Sequence, residues 1–169
     1  MSISMYDFSI PVLVRALSNL VGLLQKAEAH VDANKLKPET LIEFRLYPNM
    51  LPFKYQVYIA TDNAKGCGAR LAGVTPPSYE DIEVTFPDLI ARVNKTIELL
   101  QGFSREQIDG SEDKEIKLKL GGREETFNAL SYLTKFVLPN FFFHFTTAYD
   151  ILRHNGVDIG KPDYLGESE

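Results

Sequence analysis

The sequence predicts an all-α protein, a four-helix bundle with one small β-hairpin inserted before the last long helix. Three observations predict it. Apolar residues recur at alternating spacings of three and four along four long stretches, the period of helices that each bury one face. Cap residues and Gly or Pro breakers punctuate the ends of those stretches. The one departure from this period, from Glu115 to Phe127, alternates every second residue about a Gly121-Gly122 pair, which is the pattern of a tight hairpin.

The first long helix is expected from about Ser9, a cap candidate, to Ala33. Leu13, Ala16, Leu20, Leu23, Ala27 and His30 lay a stripe along it, widened by Leu17, Leu24 and Val31. Pro11 is tolerated because a first-turn amide has no intrahelical partner. A short helical segment follows from Lys37-Pro38-Glu39 to about Leu46. Asn49 is expected to cap the second long helix, which ends at Ala72 before Gly73. Its stripe of Phe53, Val57, Ala60, Ala64, Cys67 and Leu71, with Gly66 and Gly68 nearby, is thin enough for a neighbouring helix to approach closely.

Thr85-Phe86-Pro87-Asp88 combines a cap, an early proline and an acid at the positive helix end, and so starts the third helix. Leu89, Val93, Ile97 and Leu100 carry it to Gly102, and Ser104 with Gln107 forms a capping-box pattern for one further turn. In the hairpin, Lys119 falls opposite Glu124 and Leu118 opposite Glu125, an imperfect inner face that reads as surface decoration. The fourth helix is expected to start near Thr126 or Phe127, to kink or break at Pro139, and to resume through His154 before Asn155-Gly156. Phe141, Phe142, Phe143 and Phe145 surround His144, so this helix is apolar all round and central. Val157 to Glu169 is expected to pack as an extended strap.

Length and composition fit one domain spanning residues 1–169, with 44% hydrophobic and 24% charged residues. A chain of this size buries enough surface to fold without a disulfide or a structural metal, and the single Cys67 excludes an internal disulfide and a multi-cysteine zinc site. The net charge of −5 argues against nucleic acid as a partner. No apolar run approaches the roughly 18 residues of a membrane span. Asp7 and Arg15 spoil a signal-peptide pattern. A cytoplasmic location is the resulting expectation.

Three histidines bound the possible acid–base and metal chemistry. His144, mid-helix in an aromatic shell, is expected to be desolvated and held neutral, the form that binds metal or accepts a proton. His154 lies ten residues further along, about 15 Å away and too far to share a metal. His154 and His30 each fall in the last turn of a helix, where they suit the negative dipole end. Paired-histidine helix motifs, nucleophile elbows, phosphate loops and CxxC pairs are absent from the sequence. Gln56, Asp62 and Asn63 on the second helix and Tyr149 and Asp150 on the fourth are the polar residues placed to face a cleft, and Asp62 with His144 is a candidate acid–imidazole pair.

The run from Pro139 to Gly166, PNFFFHFTTAYDILRHNGVDIGKPDYLG, resembles the C-terminal signature of a bacterial family of unknown function within the DinB/YfiT-like metalloenzyme superfamily. The segments from Met50 through Gln56, Ala60 to Asp62, Arg70 to Gly73 and Thr85 to Arg92 are similar to its other motifs, so the resemblance spans nearly the whole chain. It implies a four-helix bundle and a divalent ion, nickel or zinc, held by one histidine on the second helix and an HxxxH pair on the last. His144 matches the first of that pair. Ala148 stands at the second position, and the second helix has no histidine, leaving Asp62 or Asn63 as oxygen substitutes.

The expectations are therefore a DinB-like bundle with a degenerate metal site, no bound cofactor, and a small-ligand pocket involving Gln56, Asp62, His144 and Tyr149. A non-catalytic ligand-binding or interaction protein is the leading reading. A metal- or thiol-dependent transferase using His144 and Asp62 is the alternative. The resemblance also implies a homodimer, which the small residues of the second helix would permit.

Overall fold

The structure, a computed structural model, describes residues 4–166. Its long helices are α1 (Ile10–Ala33), α3 (Phe53–Ala72), α4 (Phe86–Gln101) and α7 (Leu138–His154), with short helices α2 (Glu39–Ile42), α5 (Arg105–Ile108), α6 (Ala129–Ser131) and α8 (Lys161–Leu165). α1 packs on α4, α4 on α3 and α3 on α7, and α1 meets α7 to close the bundle. The apolar stripes read from the sequence are the buried faces: Leu13, Leu20, Leu23 and Ala27 on α1, and Phe53, Val57, Ala60, Ala64, Cys67 and Leu71 on α3. The small residues of α3 are consumed inside the chain. A Cβ at Gly68 would collide with Leu100 and Phe103, so at this position the close approach that small residues permit is made by α4 and the segment after it.

Several boundaries differ from the sequence reading for local reasons. The second long helix starts at Phe53, after Pro52, and not at Asn49. Proline disfavours helical backbone in the residue before it, so residues 49–52 form a turn in which the Phe53 amide donates to Phe44 O (2.8 Å). That bond also shortens the preceding segment to α2, four residues long. Ser9 stands at the N-cap of α1 but does not cap it; its hydroxyl donates back to Met5 O (2.6 Å). Thr85 does cap α4, accepting from the Asp88 amide. Gly73 closes α3 at φ 79°, a left-handed conformation that costs other residues their Cβ clearance.

Strands β1 (Glu115–Leu120) and β2 (Arg123–Asn128) pair antiparallel with Lys119 opposite Glu124 and Leu118 opposite Glu125, the register expected from the Gly121-Gly122 turn. Both glycines take positive φ, as a two-residue hairpin turn requires. The hairpin is not mere decoration, because Ile116 and Leu118 are buried against the bundle. β2 keeps pairing through Asn128, which delays the fourth helix from Thr126 or Phe127 to Ala129. Asn128 Oδ1 then accepts from the Ser131 amide (2.8 Å) and caps it.

Tyr132–Val137 winds as a π-helix leading into α7. The fourth helix therefore passes Pro139 without breaking. The wider π turn falls where the proline nitrogen cannot donate, and it absorbs the mismatch. The expected extended strap is partly helical. Asp163 accepts from the Gly160 amide (2.8 Å) to start α8, which docks on α1 through Lys26–Asp163 (2.7 Å) and Asn19–Tyr164 O (3.0 Å). The end of that strap, residues 167–169, lies outside the described residues, as do residues 1–3.

Candidate functional site: a polar seam between α3 and α7

Gln56, Asn63 and Arg70 are seven residues apart on α3, two turns each, so they share one face. That face looks onto the fourth helix. Gln56 meets His144, Asn63 meets the carbonyl of Val137, and Arg70 meets Tyr132. The partners descend in number as α3 ascends, so the two helices run antiparallel and the polar residues form a single seam between them.

At one end His144 is buried, with its Nδ1 2.8 Å from Gln56 Oε1. Gln56 Nε2 donates to Leu51 O (2.8 Å), which assigns the amide oxygen to the histidine. The oxygen can only accept, so Nδ1 carries the proton and Nε2 keeps its lone pair. Burial pushes the imidazole below its ordinary value, as expected from the aromatic shell. Phe143 presents its ring edge-on to it.

Asp62 does not join this pair. It is six residues beyond Gln56, about 120° round the helix from the seam, and its carboxylate binds Lys65 (2.6 Å) and Arg92 (3.0 Å). Arg92, buried on α4, also bonds Thr61 Oγ1, Glu80 O, Glu83 and Asp81, and lies over Tyr58 and Tyr79. Asp62 is thus part of a clamp that holds the α3–α4 loop. Tyr149 packs edge-on to Tyr164 with ring centroids 5.7 Å apart, on the side of α7 that meets α8. Asp150, its neighbour, is pushed up by partial burial. Of the four pocket candidates, the structure brings together Gln56 and His144. His30 bonds Asn34 within its own turn, and His154 packs against Phe44.

The other end of the seam opens into a cavity of about 320 Å³. Asp62, Asn63 and Arg70 of α3 line it, with Tyr132, Phe136 and Asn140 opposite and Lys117 to Leu120 of β1 as its lid-side wall. Sequence reasoning missed Arg70 and Tyr132. The heptad spacing of Gln56, Asn63 and Arg70 was the available signal. An arginine in a last helical turn passes for a dipole partner, and a tyrosine among phenylalanines passes for core.

The family described as "Domain of unknown function (DUF1993)" matches residues 5–165. The chain belongs to the DUF1993 family. A crystal structure of a DinB family member protein from Shewanella denitrificans is 34% identical to this DUF1993 protein, covers 96% of this chain and 92% of that one, and superposes with a TM-score of 0.87. The fold is DinB-like. No curated protein matches the sequence.

The residues of this DUF1993 protein do not fit the divalent ion that the DinB-like resemblance implies. The α3 residue facing His144 is Gln56, not Asp62 or Asn63, and the residue one turn beyond His144 is the buried Ala148. Gln56 is bonded directly to Nδ1 of His144 (2.8 Å), so the ring offers an ion Nε2 alone. Among the described residues, no group of three or more His, Cys, Asp or Glu side chains is arranged to hold a metal. Cys67 offers no nucleophile at neutral pH, because burial pushes its thiol up to about 12. Among the described residues, no helix is long and apolar enough to cross a membrane.

Proposed function

We propose that this protein is a metal-independent small-ligand-binding protein that uses the α3–α7 seam, and that it is not a catalyst. The observation that carries this reading is the Gln56–His144 hydrogen bond. With Nδ1 taken by an amide and alanine one turn on, the ring offers Nε2 alone, a single nitrogen that can accept a hydrogen bond but has no second imidazole beside it to help hold a cation. The transferase alternative needs Asp62 beside His144, and Asp62 is engaged by Arg92 and Lys65.

The test is elemental analysis of protein purified without an affinity tag, for wild type and His144→Ala. The expected result is far less than one equivalent of nickel or zinc in both. Near-stoichiometric metal in wild type, lost in His144→Ala, overturns this reading in favour of the transferase.

A further inference from the structure

Buried charges in proteins are paired, and two arginines of α3 and α4 differ sharply in this respect. Arg92 is surrounded by the carboxylates of Asp62, Asp81 and Glu83. Arg70 is half-buried and lines the cavity, yet among the described residues it has no carboxylate partner. Its Nη1 donates to the Tyr132 hydroxyl oxygen (3.1 Å) and its guanidinium lies near the Tyr132 ring. The Tyr132 hydroxyl in turn has its own hydrogen left to give. Burial keeps it protonated, pushed up to about 12. Donors therefore converge at this end with, among the described residues, no acceptor beyond the Tyr132 oxygen itself.

One turn away the complement is found. Asn63 lines the same cavity and is only 8% exposed, and its Oδ1 is buried without a hydrogen-bond partner. Leaving such an acceptor unmet costs about 1–3 kcal/mol. The spacing between the two features is set by Gly66. A Cβ there would overlap Arg70 Nη1, so the arginine folds back along α3 over the glycine, to within about one turn of Asn63. The donors of Arg70 and Tyr132 thus line one small cavity, and the unpartnered Asn63 Oδ1 lies buried within its wall.

We infer that this cavity binds a small carboxylic acid that also carries a hydroxyl or amino group, with Arg70 and Tyr132 holding the carboxylate and the Asn63 side chain turning from its long bond to Val137 O (3.4 Å) to bring Oδ1 to the second group. The inference rests on the ligand-binding reading above and names its ligand class. A planar carboxylate suits the fork of a single guanidinium. A phosphate dianion would meet the Asp62 carboxylate in the same lining, while Lys117 and Lys119 of β1 add positive charge there that serves either anion.

The experiment is a titration of the full-length protein, followed by NMR shifts of the Asn63 side-chain amide, Arg70 Nε–H and His144 ring. The probes are 3-hydroxypropionate, propionate and inorganic phosphate, each to about 50 mM. We expect 3-hydroxypropionate to bind with a Kd of about 1 mM or below, several-fold tighter than propionate, and phosphate to bind more weakly than both. Arg70→Gln should weaken both acids at least about tenfold. Asn63→Ala should abolish the preference for the hydroxylated acid. Gly66→Ala keeps every charge and improves helix propensity, yet should weaken binding with no loss in Tm, which separates a ligand site from a folding defect. Phosphate binding tightest, or acid binding unchanged in Arg70→Gln, overturns the assignment. So does the absence of shifts with every probe, and metal content then decides the broader reading separately. Shifts confined to His144 and Gln56 overturn the assignment while leaving ligand binding at the seam intact.

Discussion

His144 shows how a single buried side chain couples the seam to solution conditions. Burial favours the neutral ring, so its folded-state value lies below the ordinary 6.5. In the unfolded chain the same ring takes up a proton as pH falls through 6.5. The unfolded state then binds more protons than the folded one, and stability falls with pH. The contribution is complete above pH 6.5 and drains away below it. Asp7, Asp88, Asp109 and Asp163 are held below the ordinary carboxylate value of 3.8 by hydrogen bonds and neighbouring cations, so their losses come at lower pH. Asp150, pushed up by burial, acts with the opposite sign, losing stability as pH rises above 3.8. Comparison with His144→Gln, which removes only the ring, isolates the histidine. The stability advantage of wild type over this variant in urea titrations should be constant above about pH 7 and shrink steadily below about pH 6.5. Parallel pH profiles would show that the ring is not desolvated in solution.

At the scale of elements, the loop from Gly73 to Thr85 is held by contacts with α3 and α4. It is longer than most connections in compact domains, and within it residues 75–84 have no helix or strand. Arg92 bonds Glu80 O, Asp81 and Glu83 of this loop, and Tyr58 donates to Glu83 O. Removing a buried cation strands its carboxylates, but Asp62 and Asp81 remain accessible enough to hydrate. Arg92→Met should therefore cost about 3 kcal/mol, the low end for a broken buried pair, and open the loop to limited proteolysis. A urea midpoint unchanged from wild type would sink this account. The clamp was hidden in the sequence because no periodicity marks a loop, and because Asp62 beside Asn63 looked equally able to face a cleft. Burial, by contrast, imposes its period directly, so the stripes of α1, α3 and α4 were legible residue by residue. The hairpin register was legible because two glycines admit one tight turn. The π segment was not, since Tyr132, Leu133 and Val137 satisfy an α period and a wider one alike.

For the whole molecule, the question is whether a cation contributes to holding the bundle together. Leu13, Leu20, Val57, Ala64, Val93, Phe141 and Ile151 belong to one continuous apolar core that joins all four long helices, and a domain of this length folds without a staple. The polar seam crosses that core with Nδ1 of His144 hydrogen-bonded to Gln56. The sequence carried half of the proposed metal-independent reading in Ala148 and in the absence of histidine from α3. It could not show that Gln56 closes the gap, because that requires the antiparallel register of α3 and α7. A tightly bound ion stabilises the folded state in proportion to the logarithm of its concentration over Kd, and a gain of 1 kcal/mol moves Tm by roughly 2–4 °C for a chain of this size. Tm should therefore agree within about 1 °C between protein in EDTA and protein with excess nickel or zinc. A rise of several degrees with either metal, absent in His144→Gln, would mean that His144 holds an ion, and the metal-independent reading would have to be abandoned.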